Sequence, residues 1–376
     1  MDKFTPEFSR AYFDGMVKAL PADKRPANLT TLEEVIFNPA VMAKRVNQAD
    51  GQDLIATSAA NIYEGVTQAE VEAYYAALRD TTDLTPISLG LNSKIVKRDG
   101  KVVEEVYRQG GLYDAAITRI IDNLAKAEKY AENDRQQQVI QSLIDFYRTG
   151  DLKKFDEYSI LWVGDTASRV DFINGFIESY GDPLGMTGTW ESIVNFKNLE
   201  ASHRTEAISD SAQWFEDHSP VDPRFRKPHV KGVTAKVITA AILAGDAYPA
   251  TPIGINLPNA NWIRAAHGSK SVTLENITQA YDEASHGDGF NEEFVIDAPT
   301  AQLMNKYLFI TDNLHTDLHE GRGHASGRLL PGVDENALGA YGSTLEETRA
   351  DLFALYYLAD PKLLELGLLD KPDAYK

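Results

Sequence analysis

The 376-residue chain contains no cysteine. Disulfides, thiolate nucleophiles and cysteine-ligated metals are therefore excluded, and any metal site must be built from histidine and carboxylate. Positive charge is also scarce: 37 Lys and Arg stand against 56 Asp and Glu, a formal net charge of −19. A nucleic-acid partner needs a basic surface that displaces counterions, so that class is excluded. The carboxylates would instead draw cations, including the ammonium group of a peptide, into an acidic cleft. They would equally serve an ordinary soluble surface. Long apolar runs are missing as well. The longest, around Val237 to Gly245, is far too short to span a bilayer, and no membrane partner is expected. The amino terminus lacks the basic-then-apolar pattern of a signal peptide, which makes the cytoplasm the expected compartment.

What remains is an ordinary globular balance, 43% hydrophobic and 25% charged, long enough for two or three domains or one two-lobed unit. Phe8, Tyr12, Met16 and Leu20 recur at helical spacing, as do Val71, Tyr74 and Leu78, and helical periodicity returns from Tyr113 to about Arg148. Residues 94–107 break it: Asp99-Gly100 sits between β-branched runs and predicts a hairpin. Residues 150–260 are mixed, with β-branched stretches such as Val233 to Ile238. From about Thr300 the pattern is helical again, interrupted by a Gly/Pro-containing connection at 325–342. No repeat and no Pro/Ser linker divides the chain.

The chemistry concentrates at His319-Glu320-Gly321-Arg322-Gly323-His324. Leu303, Tyr307, Leu308, Leu314 and Leu318 mark one apolar face upstream, so the motif ends a largely buried helix. The usual zinc signature is His-Glu-x-x-His, with two imidazoles four apart on one face. Here the offset is five, which in a regular helix turns the second ring roughly 140° from the first. Both rings reach one ion only across a one-residue bulge, and Gly323 is where such a distortion is least opposed. These four fixed letters arise by chance in on the order of one chain in a thousand of this size. A competing reading pairs His315 with His319, also four apart, but without the Glu in register.

A catalytic zinc needs a third protein ligand. Downstream, Ser343-Thr344-Leu345-Glu346-Glu347-Thr348-Arg349-Ala350-Asp351 lies on another amphipathic stretch. Glu347 and Asp351 share a helical face, so one acid would ligate while the other grips an imidazole. Ser343-x-x-Glu346 also fits a capping box, the purely structural explanation of the same acids. Glu320 stands where a general base would take a proton from metal-activated water. No phosphate loop, Gly-x-Ser-x-Gly elbow or dinucleotide fingerprint competes.

At these residues the chain resembles the dipeptidyl peptidase III family, the bacterial branch more closely than the animal one. His-Glu-x-x-Gly-His at 319–324 and Glu-Glu-x-x-Ala-Asp at 346–351 both match its pattern. So do Phe176-Ile177-Glu178-Ser179-Tyr180-Gly181-Asp182-Pro183 and Thr251-Pro252-Ile253-Gly254-Ile255-Asn256-Leu257-Pro258-Asn259, and the likeness covers essentially the whole chain. The resemblance implies one zinc ion held by His319, His324 and Glu347, with Glu320 as catalytic base. It makes Glu346 and Asp351 the carboxylates behind the two histidines. Glu178, Tyr180, Asn256 and Asn259 would hold the amino terminus of a short peptide. From the residues alone, Asn256 to Asn259 also reads as a simple turn. An ammonium anchored about two residues, roughly 7 Å, from the metal would place the second peptide bond there, giving dipeptide release.

The implied fold is α+β, mainly α, and two-lobed. Residues 1–198 and 238–285 form a lower lobe with a small β-barrel and the amino-terminus subsite. Residues 199–237 and 286–376 form a helical upper lobe carrying the zinc motifs. The family pattern extends beyond both ends of this chain, and its later histidine and basic residues have no counterpart after Asp351, so the chain is read as partial. The alternatives are another zinc amide hydrolase or endopeptidase, or a zinc- and peptide-binding fragment without turnover.

Overall fold

The computed structural model describes residues 3–199, 201–230, 233–248, 250–285, 289–333, 338 and 341–375. The chain divides into two units, the first being Met1–Thr82, Ser88–Asp114 and Phe176–Thr189. This unit contains helices α1 (Arg10–Ala19), α2 (Leu29–Phe37) and α3 (Gln68–Leu78) with strands β1 (Tyr63–Glu64), β2 (Ser93–Arg98) and β3 (Lys101–Val106). The Asp-Gly signal forms the predicted hairpin. Asp99 and Gly100 take φ of 50° and 77°, and Arg98 pairs with Lys101 across them. Two left-handed residues match the turn to the twist of the flanking strands. β1 adds in parallel to β2, completing a three-stranded sheet. Thr67 starts α3 with a capping box, its hydroxyl accepting from Glu70 N while the Glu70 carboxylate accepts from Thr67 N. Val71 and Tyr75 of α3 are thereby turned onto Tyr63 and Ile95. The helical row Phe8, Tyr12, Met16 and Leu20 lies along α1 and its ends, but all four side chains are exposed.

The second unit comprises Asp83–Ile87, Ala115–Gly175 and Trp190–Lys376. In order it runs through α4 (Asp114–Ala127), α5 (Asp134–Thr149), α6 (Leu152–Gly164), β4 (Val170–Glu178), β5 (Thr189–Lys197), α7 (Ser202–Asp210), α8 (Ala212–His218), β6 (Val233–Gly245), β7 (Gly254–Leu257), α9 (Asn261–His267), β8 (Ser269–Leu274), α10 (Glu275–Ser285), α11 (Phe290–Phe294) and α12 (Ala298–Leu318). A π-helical turn at His319–Gly323, α13 (Gly342–Leu358) and α14 (Lys362–Glu365) follow. The strands form one sheet in the order β4-β5-β6-β8-β7, with β6 and β8 parallel and β7 antiparallel to β8. Every residue of β8 is buried, because successive side chains point to opposite faces and helices cover both. Lys270 points to α6, giving its ammonium to Asp171 at 2.9 Å and sitting 4.1 Å over the Trp162 ring. Thr273 points the other way and donates to Asp317 of α12 at 2.7 Å.

The expected mainly helical fold with a small β-barrel is therefore corrected to a mixed α/β fold with two open sheets. Closure requires the first and last strands to pair. In the larger sheet β4 and β7 remain at opposite edges, and the smaller sheet ends at β1 and β3. No helix among the described residues is long and apolar enough to cross a membrane.

On α6, burial pushes the Asp156 carboxyl up to about 7, with the charge of Asp151 adding and Lys153 opposing. A raised folded-state value means the stability this group contributes is complete below an unfolded value of about 3.9 and is lost as pH rises through about 7. Asp156→Asn should flatten that loss and stabilise the protein at about pH 8 by about 1–2 kcal/mol, a figure reduced for partial solvent exposure. Urea melts at about pH 5 and about pH 8 check it.

Candidate metal centre

α12 starts where Asp297 accepts a hydrogen bond from Thr300 N, with Pro299 in its first turn. Its buried face, Tyr307, Leu314 and Leu318, packs with Phe353, Ala354 and Tyr357 of α13. Leu308, expected on that face, is exposed instead. Buried Asp317 receives the Arg204 guanidinium and the Thr273 hydroxyl, fastening the end of α12 to α7 and β8.

Beyond that anchor the helix widens. His324 N donates to His319 O at 3.0 Å, the i-to-i+5 bond of a π-turn, which absorbs the extra residue of the motif. The two imidazoles, which a regular helix would splay, come within 4.6 Å between ring centres at 85° to one another. Gly323 is needed for a reason the sequence did not disclose. A Cβ there would lie 2.8 Å from both the Cα and the carbonyl oxygen of Ala350, so its missing side chain lets α13 approach the turn. Gly323→Ala should cost about 1–3 kcal/mol through overpacking and weaken zinc binding by moving α13 away. Thermal melts and a zinc titration of the same variant check both effects.

α13 begins at Gly342 without a side-chain cap, so Ser343 lies inside the first turn and its capping box is not formed. Glu346 is used elsewhere: its Oε1 accepts from His324 Nδ1 at 3.0 Å. One turn on, Asp351 Oδ1 meets His319 Nδ1 at 2.9 Å. Between them Glu347 Oε2 lies 3.3 Å from His319 Nε2 and 3.5 Å from His324 Nε2. Each imidazole is thus held by a carboxylate at one nitrogen and turned toward a common acid at the other. His315 does not join this pair; its Nε2 lies 3.5 Å from Asp351.

Glu320 is the second acid bordering the imidazoles: ligand atoms of His319, Glu320 and His324 lie within 4.8 Å of one another. Its carboxyl is raised above the usual range, first by burial and then by the charge of Glu347, with the imidazoles opposing. Burial also disfavours the charged form of Glu346, yet hydrogen bonds from His324 and Arg349 bring its carboxyl down to about 2. Two imidazoles with adjacent carboxylates, no thiol and both Nδ1 atoms held suit a zinc ion.

Strand β7 flanks this centre. A Cβ on Gly254 would fall 2.6 Å from Glu320 Cγ, and Asn256 Nδ2 donates to Glu320 O at 2.8 Å. Asn256 Oδ1 is buried without a hydrogen-bond partner. Arg264 of α9 steadies the following loop, reaching Asn256 O at 2.8 Å and Asn259 Oδ1 at 3.3 Å. Of the sequence candidates, His319, Glu320, His324, Glu346, Glu347, Asp351 and Asn256 come together here, with Asn259 tied in through Arg264. Glu178 and Tyr180 belong to the first unit, at and just beyond the end of β4, where Tyr180 is exposed. Gly254, Arg264 and Arg349 were not singled out from the sequence. Only Arg349 carried a local signal, its three-residue spacing from Glu346.

Residues 58–338 match the model of peptidase family M49. The dipeptidyl peptidase 3 of Dictyostelium discoideum is 28% identical over 312 residues, covering 73% of this chain and 43% of that protein. The Homo sapiens dipeptidyl peptidase 3 is 28% identical over 300 residues, covering 70% of this chain and 39% of its own length. The chain thus spans less than half the length of these relatives. Its fold is similar to that of dipeptidyl peptidase III from Caldithrix abyssi, with a TM-score of 0.68 at 21% identity, over 97% of this chain and 68% of that one. By its sequence over most of its length, the chain belongs to peptidase family M49.

Proposed function

We propose that the chain carries the zinc centre of an aminopeptidase that releases dipeptides from short peptides. The observation that carries this reading is the convergence of His319 Nε2 and His324 Nε2 on Glu347 Oε2. His319, His324 and Glu347 would hold the ion, while Asp351 and Glu346 keep each imidazole in the tautomer that leaves Nε2 free to bind. An ion held by these residues would supply a Lewis acid, lowering the pKa of a water and polarising a carbonyl. Glu320, buried beside the pair, takes a proton on its carboxylate from water and returns it to the leaving nitrogen.

The edge position of β7 supports a peptide substrate, because an extended chain pairs naturally with an open strand. Gly254 allows that strand to lie directly against Glu320. Asn256 Oδ1, buried without a hydrogen-bond partner, is a suitable acceptor for an ammonium group, whereas the role of Asn259, whose Oδ1 takes Arg264 Nη2, rests on the sequence resemblance. The roles given to Glu178 and Tyr180 rest on the sequence resemblance. Cleavage of a peptide with a free amino terminus tests the reading: dipeptide products that vanish on N-acetylation and on chelation are expected. Continued cleavage of the blocked peptide would indicate an endopeptidase. A second reading is zinc and peptide binding without turnover. Tight zinc binding with no chelator-sensitive hydrolysis would select it.

A further inference from the structure

The acid that holds His324 is itself held. Arg349, three residues along α13, sends Nε to Glu346 Oε2 at 2.9 Å and Nη2 to Glu346 Oε1 at 2.6 Å. This is the two-pronged pairing that a planar guanidinium makes with a carboxylate. Its remaining nitrogen, Nη1, donates to Ser326 Oγ at 2.8 Å, and Ser326 Oγ donates to Gly323 O at 2.8 Å. A closed circuit results: Gly323, Ser326, Arg349, Glu346 and His324, then back along the chain to Gly323. One side chain therefore grips both the acid that orients His324 and the turn from which His324 projects.

An exposed helical ion pair at three-residue spacing ordinarily does little. Lys362 and Glu365 form such a pair, with one contact at 3.1 Å. Arg349 differs in engaging all three nitrogens, on two elements, and in sharing Glu346 Oε1 with an imidazole. We propose that Arg349 is a positioning residue of the metal centre: it fixes the plane of the His324 ring through Glu346 and Ser326, and so sets zinc affinity without touching the ion. The inference rests on the reading of His324 as a zinc ligand.

Zinc dissociation constants, measured by competition with a fluorescent chelator, test it alongside melting of the metal-free protein. Arg349→Met should weaken zinc binding about tenfold, within the range seen when partners of ligand histidines are lost. Metal-free melting should move by no more than about 2 °C, since losing a part-buried ion pair costs about 1 kcal/mol, a small shift for a chain of this size. Arg349→Lys keeps the charge but not the fork and should recover only part of the affinity. Ser326→Ala, which frees one nitrogen, should give a smaller loss in the same direction. Combined with Glu346→Gln, Arg349→Met should add no more than the small loss seen in Ser326→Ala, because the rest of its route runs through that acid. Unchanged zinc affinity in Arg349→Met, or losses that add in full in the double variant, would overturn the inference. If Arg349→Met does not fold, Arg349→Lys and Ser326→Ala decide it by the same readout. His324→Ala and Glu347→Ala serve as the reference. Should they also bind zinc normally, the metal-centre reading fails; should they alone lose it, only the role of Arg349 does.

Discussion

Glu320→Gln should bind one zinc ion per chain as tightly as the unaltered protein, yet hydrolyse peptides on the order of 10²–10⁴-fold more slowly. The amide keeps the shape that fits against Gly254 but cannot accept a proton. The prediction also decides between the two acids at the centre. Glu320 has a ligand atom within 4.8 Å of those of the two imidazoles and is the other candidate for third ligand. Glu347 places a single oxygen 3.3 and 3.5 Å from the two imidazole Nε2 atoms, and its assignment as ligand, with Glu320 as base, is the proposal that this variant tests. Metal content and turnover of the one variant check it together. Zinc lost along with activity would make Glu320 a ligand.

The second large effect falls on binding itself. Glu347→Ala should lower zinc affinity by more than the roughly 100-fold that removing an outer partner costs, whereas Asp351→Asn and Glu346→Gln should stay within about 10–100-fold. Glu347 is half exposed, so its removal leaves no buried cavity and melting of the metal-free protein should change little. Chelator competition on the three variants gives the ranking. Equal losses in all three would mean that Glu347 is no nearer the ion than its neighbours.

Much of this centre was legible because its signals are local. An offset of five between His319 and His324 admits few ways of bringing both rings together, and a π-turn is what forms. The spacing of Glu347 and Asp351 put both on one helical face. Asp99-Gly100 specified its hairpin through backbone angles alone. What escaped depends on contacts distant in sequence. Gly323 was read as a weak point for distortion, but it answers to Ala350 on another helix. Ser343-x-x-Glu346 has the letters of a capping box, yet Glu346 gains more from His324 and Arg349 than from a helix end. The barrel came from resemblance rather than from residues, and no local pattern states whether β4 and β7 meet. Gly254 and Arg264 matter only once β7 is placed beside Glu320.

X-ray absorption at the zinc edge of the reconstituted protein addresses the central claim most directly. The account predicts two imidazole nitrogens at about 2.0–2.1 Å and carboxylate oxygen at about 2.0–2.2 Å, with one imidazole lost in His324→Ala and the carboxylate lost in Glu347→Ala. A first shell with fewer than two imidazoles, or one unaltered by Glu347→Ala, would contradict it.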